Sequence, residues 1–302
     1  GIAAIRENLR PKFFMQTLFI AGFFVFLYGV GQIYAGFPVI STQNEEYAKG
    51  LALRLIPGVP LHSTFAGHYD LAAFLVLLFP LAFTYLFVLK RFWLQILFVS
   101  IFIIPLFWLF LQTDSRISFV SYLVSVTLTL WLVRKRIFIL PFLIVSLLGM
   151  IFFSNLGARY KNTIQFYQER VSGNLQFPRP VYADNGIVGK VLGTEDRSTS
   201  IRLNVEWPRA IRSFLKNPLL GTGYSSITLA TDNDYLRMLG ETGLVGTLAF
   251  LLVLIRVIGG FGKFLRQATD INMSTAFVGG FFGSFAGMLV TATFIDVFEA
   301  SK

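Results

Sequence analysis

The sequence has no cysteine and only two histidines among its 302 residues. The first absence excludes disulfides and thiolate metal sites, and the second leaves too few imidazoles for a His-rich zinc centre. Charge is scarce too, at 14% of residues, against 55% hydrophobic content, 34 phenylalanines and a mean hydropathy of +0.66. A soluble domain of this length is far less apolar, so the chain reads as an all-α, polytopic integral membrane protein. Its polar chemistry must come from Arg, Lys, Asp, Glu, Asn and Tyr. No internal repeat or low-complexity tract is evident.

The net charge is +10. In a soluble protein that excess would point to nucleic acid; here many basic residues flank apolar stretches, and anionic lipid headgroups account for them. Seven spans are expected: roughly 13–34, 69–89, 92–111, 117–133, 137–154, 236–258 and 274–293. The first is long enough to cross and lacks a small-residue cleavage site, so it reads as a span rather than a cleaved signal peptide. The chain opens on Gly1 rather than Met, and a longer natural protein with further N-terminal spans is expected. Lys90 and Arg91, Arg134 to Arg136, and Lys263 with Arg266 mark three internal turns, which the positive-inside rule puts in the cytoplasm together with Arg6, Arg10 and Lys12. Pro80, Pro105 and Pro141 fall within or near the starts of spans, where kinks or helix starts are expected. Span seven carries Gly279, Gly280, Gly283 and Gly287, which permits close helix packing.

The expected division is therefore 1–154 (spans one to five, with an outer loop over 35–67), 155–234 (a large extracytoplasmic loop of short helices) and 235–302 (spans six and seven). The large loop holds ten Arg or Lys against seven Asp or Glu. Within it, 177–199 reads as loop without regular structure. The stretch SIRLNVEWPRAIRSFLK (200–216) reads as one or two amphipathic helices on the outer membrane face, broken or restarted at Pro208.

Chemistry-bearing residues gather at the outer side. The segment 217–246 runs from a glycine-punctuated loop into an apolar helix that opens with Asp232, Asn233, Asp234 and Tyr235. The plain reading is helix capping, with Thr231 as N-cap, Asp234 three residues on, and Arg237 paired with Glu241 four residues later. The functional reading is an active site, since intramembrane polar groups mark function. NPLLGTGY lacks a nucleotide loop's Gly-Lys-Ser/Thr ending; its glycines serve a plain turn, or turn backbone N–H groups toward a diphosphate. Arg116, in TDSRIS, either snorkels or pairs with Asp114, or clamps an anion through its planar guanidinium. Arg202, Arg209 and Arg212 hold headgroups, or converge on a lipid-linked diphosphate. His68 and Asp70 open span two at the same surface.

STFAGHYDLAAFLVLLFPLAF, TDSRISFVSYLVS, and SIRLNVEWPRAIRSFLKNPLLGTGY followed by DNDYLRMLGETGLVG together resemble the O-antigen ligase and O-antigen polymerase family of membrane glycosyltransferases. The resemblance implies a helix bundle in the bacterial cytoplasmic membrane with a large periplasmic or exterior loop. It implies transfer of glycan from an undecaprenyl diphosphate-linked donor to a hydroxyl of a saccharide or lipid-glycan acceptor. It further implies chemistry that is metal-independent, inverts the anomeric carbon and uses no cofactor. Arg116 and Arg202 fall on the family's functional arginines, with Arg209 a weaker addition; they would stabilise the leaving diphosphate. Asp232 stands where many ligases have histidine and is the candidate general base. Asn233 and Tyr235 would orient the acceptor, with His68 and Arg212 as further binding residues. Polysaccharide assembly proteins are possible partners. A flippase or transporter of lipid-linked glycan, and a non-catalytic part of an assembly complex, stand as the other readings; polymerase and ligase are not separated.

Overall fold

The computed structural model describes residues 11–39, 60–154, 202–227, 231–268 and 270–298. The expected loop over 177–199 and most of the outer loop over 35–67 lie outside the described residues. So do the N-terminal basic residues Arg6 and Arg10.

Every regular element among the described residues is helical. In chain order they are α1 (Pro11–Tyr34), α2 (His68–Val88), α3 (Phe92–Leu111), α4 (Arg116–Leu132), α5 (Arg136–Phe153), α6 (Trp207–Lys216), α7 (Asp234–Gln267) and α8 (Met273–Thr291). Six of them are long and apolar enough to cross a membrane. The expected fourth span, α4, has 17 residues, about 26 Å at 1.5 Å per residue and slightly short of a full hydrocarbon core. The chain is a multi-pass helical membrane protein.

The centre of the bundle is α8, packed most extensively against α2 and α4. Glycine allows this approach. A Cβ on Gly283 would collide with the Thr129 hydroxyl and lie 2.8 Å from the Ser125 carbonyl oxygen, and one on Gly287 would lie 2.7 Å from Ser125 Cβ. The facing stripe of α4 is correspondingly small and polar: Ser118, Ser121, Ser125 and Thr129 are all buried. Ser121, Ser125 and Thr129 donate to the carbonyls of Ile117, Tyr122 and Ser125, so their hydroxyls are satisfied within their own helix. Small-on-small packing of this kind replaces the hydrophobic drive that lipid removes. An aromatic core of Phe79, Phe110, Phe119 and Tyr122 closes the other side of α2.

The three prolines behave differently. α2 runs unbroken through Pro80. Pro105 cannot donate to Ile101, and α3 widens into a π turn over Val99–Ile103 just before it, which is one way a membrane helix accommodates a missing donor. Pro141 falls in the first turn of the α-helical part of α5, where a missing N–H costs little.

The bundle has two chemically distinct ends. At one, Lys135 and Arg136 cap the rings of Phe87 and Trp131. At the other, the Leu61 N–H donates to the Gln112 carbonyl, tying the segment before α2 to the turn before α4. Among the described residues five non-glycines take left-handed backbone: Ser63, Asp114, Ser225 and Asp232 at this second end, with φ of 52°, 48°, 59° and 46°, and Arg134 at the first, with φ of 61°. Such strained positions tend to cluster at functional sites.

Candidate active site

The site is built where the chain enters α7. Asn233 is the N-cap of that helix: its Oδ1 accepts from the Leu236 N–H at 2.9 Å. The expected cap, Thr231, is displaced by two residues, because Asp232 turns left-handed and only Asn233 reaches the extended geometry a cap requires. The expected Arg237–Glu241 pair is present, at 3.3 Å.

Segment 231–235 clasps the end of α8 by exchanging side chains for backbone. The buried Asp296 carboxylate accepts from the N–H groups of Thr231 and Asn233, and it lies 3.6 Å from Arg237. In return, Asp234 accepts from the N–H groups of Val297 and Phe298. Asn233 Nδ2 donates to the Thr293 carbonyl, and the Tyr235 hydroxyl donates to that of Leu289. The polar atoms of Asn233 and Tyr235 are thus used to fix the helix entrance. Tyr235 also lines a cavity of about 200 Å3 with Asp234, Arg237 and Glu241, a cavity that neither Arg202 nor Asp232 lines.

What this clasp positions is Asp232. Its Oδ2 accepts from both Nε and a terminal nitrogen of Arg202, at 2.9 and 2.8 Å. Arg202 is buried, its side chain 8% exposed against 27% for Asp232. The guanidinium carbon lies 5.7 Å from the centre of the Tyr69 ring. Burial alone would drive the proton off Arg202; Asp232 and Tyr69 outweigh it and hold the cation charged. Tyr69 is in turn 4.0 Å, centre to centre, from His68, which stacks on His62.

Glu206 completes the cluster. It ends a π turn over Arg202–Glu206 that leads into α6, and it lies within electrostatic reach of Asp232, Arg202, Asp296 and Arg209. Burial first, and Asp232 second, push its carboxyl up to about 7. The sequence reading missed Glu206 and Tyr69. The signal for Glu206 was that it is the single acid among four basic residues in 200–216.

The other expected residues are distributed as follows. Arg209 is half-buried on α6 and faces Glu206, while Arg212 is exposed on that helix. α6 is amphipathic as expected, with Ile211 and Leu215 exposed, and Pro208 sits in its first turn. Arg116 is half-buried and opens α4 at the same end of the bundle. Among the described residues, no three acids or histidines are grouped as a metal site would require.

The loop over 217–223 has a structural role that the sequence reading did not foresee. α7 does not run straight past Gly243: that residue takes φ 62° and ψ −164°, breaking the helix. The loop fills the break. Thr222 and Gly223 donate their N–H groups to the carbonyls of Gly240 and Glu241, and the N–H groups of Leu244 and Val245 donate to the carbonyls of Pro218 and Leu219. Two carbonyls and two N–H groups that the helix break would orphan are thereby paired. The backbone N–H groups of Thr222 and Gly223 are therefore committed to protein rather than turned to a diphosphate.

The sequence model of the O-antigen ligase family matches residues 101–251, a stretch that contains Arg116, Arg202, Asp232 and the break at Gly243. Comparison with curated proteins and with solved structures gives no match. Together with the all-helical membrane bundle, the match shows that this chain belongs to the O-antigen ligase family, a family of membrane glycan-processing transferases.

Proposed function

We propose that the chain transfers glycan from an undecaprenyl diphosphate-linked donor onto a hydroxyl of a saccharide or lipid-glycan acceptor, at the outer face of the bacterial cytoplasmic membrane. The observation that carries this reading is the buried Arg202, held between Asp232 and Tyr69 at the end of the bundle opposite Lys135 and Arg136. A desolvated guanidinium is a strong anchor for phosphate oxygens. Negative charge builds on the diphosphate as the glycosidic bond to it breaks, so a cation held there in advance lowers the barrier. Arg116 joins it as the second clamp, with Arg209 and Arg212 drawing the anionic headgroup to the site. His68, beside Tyr69, faces the sugar side.

Asp232 acts mainly through Arg202. A carboxylate oxygen that already accepts two charged hydrogen bonds is a weakened base. Asn233 and Tyr235 support catalysis by fixing the helix entrance that carries Asp232.

A transporter of lipid-linked glycan would need a polar path through the membrane. The hydroxyls of Ser121, Ser125 and Thr129 that line α4 are closed on carbonyls of their own helix, which supports transfer at the bundle end instead.

The test is complementation of a deletion strain. Arg116→Ala, Arg202→Ala and Asp232→Asn are expected to abolish glycan transfer while the protein still inserts in the membrane. Normal surface glycan from all three would overturn the site. A gel of glycan from the deletion strain separates polymerase from ligase: single repeat units on the acceptor indicate the first, polymer stranded on the lipid carrier the second.

A further inference from the structure

We propose that Glu206 is the proton acceptor for the attacking hydroxyl, an inference that rests on the glycosyl-transfer reading above. Its Oε2 is buried and makes no hydrogen bond among the described residues. The same is true of the indole Nε1 of Trp207 and of the hydroxyl of Thr231. All three belong to residues that adjoin the Arg202–Asp232 pair along the chain: Glu206 and Trp207 follow Arg202 by about one turn, and Thr231 directly precedes Asp232. Each such orphan costs about 1–3 kcal/mol, so three on residues that adjoin one ion pair in the chain call for a ligand that satisfies them. A carboxylate acceptor, an N–H donor and a hydroxyl that does both are the complement of a sugar's hydroxyl groups.

The charged groups facing Glu206 are Asp232 before α7, Asp296 after α8, Arg202 on its own turn and Arg209 on α6. Burial and the two aspartates outweigh the two arginines, and the carboxyl titrates near neutrality. That is where a general base works best, whereas the Asp232 Oδ2 already accepts two hydrogen bonds from Arg202. In the step itself, the acceptor oxygen forms a bond to the anomeric carbon as the bond from that carbon to the diphosphate oxygen breaks. The bonding pair leaves with the diphosphate, against Arg202. The hydroxyl proton passes to the Glu206 carboxylate, which later releases it to water.

The experiment uses the whole chain in detergent, supplied with lipid-linked oligosaccharide and acceptor extracted from membranes of a strain deleted for it. Release of polyprenyl diphosphate coupled to glycan transfer is followed from about pH 5.5 to 9. The wild-type rate should rise through an inflection near 7. Glu206→Gln should transfer at least about 100-fold more slowly and lose the inflection. Asp296→Asn, which keeps measurable transfer, should move the inflection to lower pH, because the Asp296 charge helps to raise Glu206. A Glu206→Gln rate within about threefold of wild type, with the inflection kept, overturns the proposal. Should that variant not fold, Glu206→Asp decides: an inflection at the wild-type pH is the overturning result, a displaced one the supporting result. If wild type itself releases no polyprenyl diphosphate, the donor reading fails first and the role of Glu206 fails with it.

Discussion

The Asp232 carboxylate holds the Arg202 guanidinium through a single oxygen, Oδ2, at 2.9 and 2.8 Å, while Asp232 itself sits at φ 46°. The two bonds set the plane of the guanidinium, whose carbon lies 5.7 Å from the centre of the Tyr69 ring. Lysine can supply the charge but not the plane. Arg202→Lys is therefore expected to keep the protein folded and to reduce glycan transfer by about 100-fold, and Arg202→Ala by more. Rates of transfer by purified variants, with melting in detergent as the folding control, check this; a lysine variant at wild-type rate would show that only charge matters.

A second prediction concerns the interlocked loop. Gly243 at φ 62° and Gly221 at φ 72° face each other so closely that a Cβ on either meets backbone: on Gly243 it would lie 2.5 Å from the Gly221 nitrogen, and on Gly221 it would lie 2.6 Å from the Gly243 nitrogen. Gly243→Ala and Gly221→Ala should each destabilise by about 2 kcal/mol or more, combining backbone strain with collision. Gly259→Ala, on the same helix with nothing within 4 Å, should be neutral or stabilise by about 0.5–1 kcal/mol. Thermal unfolding of the three variants in one detergent is the measurement, and equal melting temperatures would remove the argument.

That interlock illustrates what the sequence could and could not disclose. The spans were legible because apolar runs near 20 residues have one reading, and the glycines of α8 announced close packing. Arg202 and Asp232 stood out as polar groups in an apolar chain, and the structure joins them in one ion pair. The break at Gly243 was not, because a glycine in an apolar helix is tolerated without breaking it; only the loop 20 residues earlier, with carbonyls and N–H groups at matching spacing, makes the break favourable. Asp296 was hidden for a similar reason. Its partners are backbone N–H groups more than 60 positions away, and backbone donors leave no mark in residue type.

Asp296 gives the third prediction. It accepts from the N–H groups of Thr231 and Asn233, the two neighbours of Asp232. Asp296→Ala leaves both donors buried and Arg237 with one carboxylate fewer. A loss of about 2–4 kcal/mol in stability is expected, and transfer should fall because Asp232 loses its fixed backbone. Asp296→Asn keeps one acceptor oxygen and should lie between wild type and alanine in both readings. Retention of full stability by the alanine variant would mean that the clasp contributes nothing.

The last prediction follows from the raised carboxyl of Glu206. Its folded pKa of about 7 lies above the ordinary value of 4.5, so between those pH values the folded state binds more protons than the unfolded one. Stability from this group is fully present below 4.5 and is lost as pH rises through about 7. Glutamine at this position does not titrate. Relative to wild type, Glu206→Gln should therefore melt at a similar temperature near pH 4.5 and at a higher temperature at pH 8, by a few degrees after allowance for the part of Glu206 that water still screens. A residue that makes the enzyme less stable at its working pH, and whose removal slows transfer, is retained for chemistry. If the melting difference between the two proteins stays constant from pH 4.5 to 8, the carboxyl is not raised, and its fitness as a base goes with it.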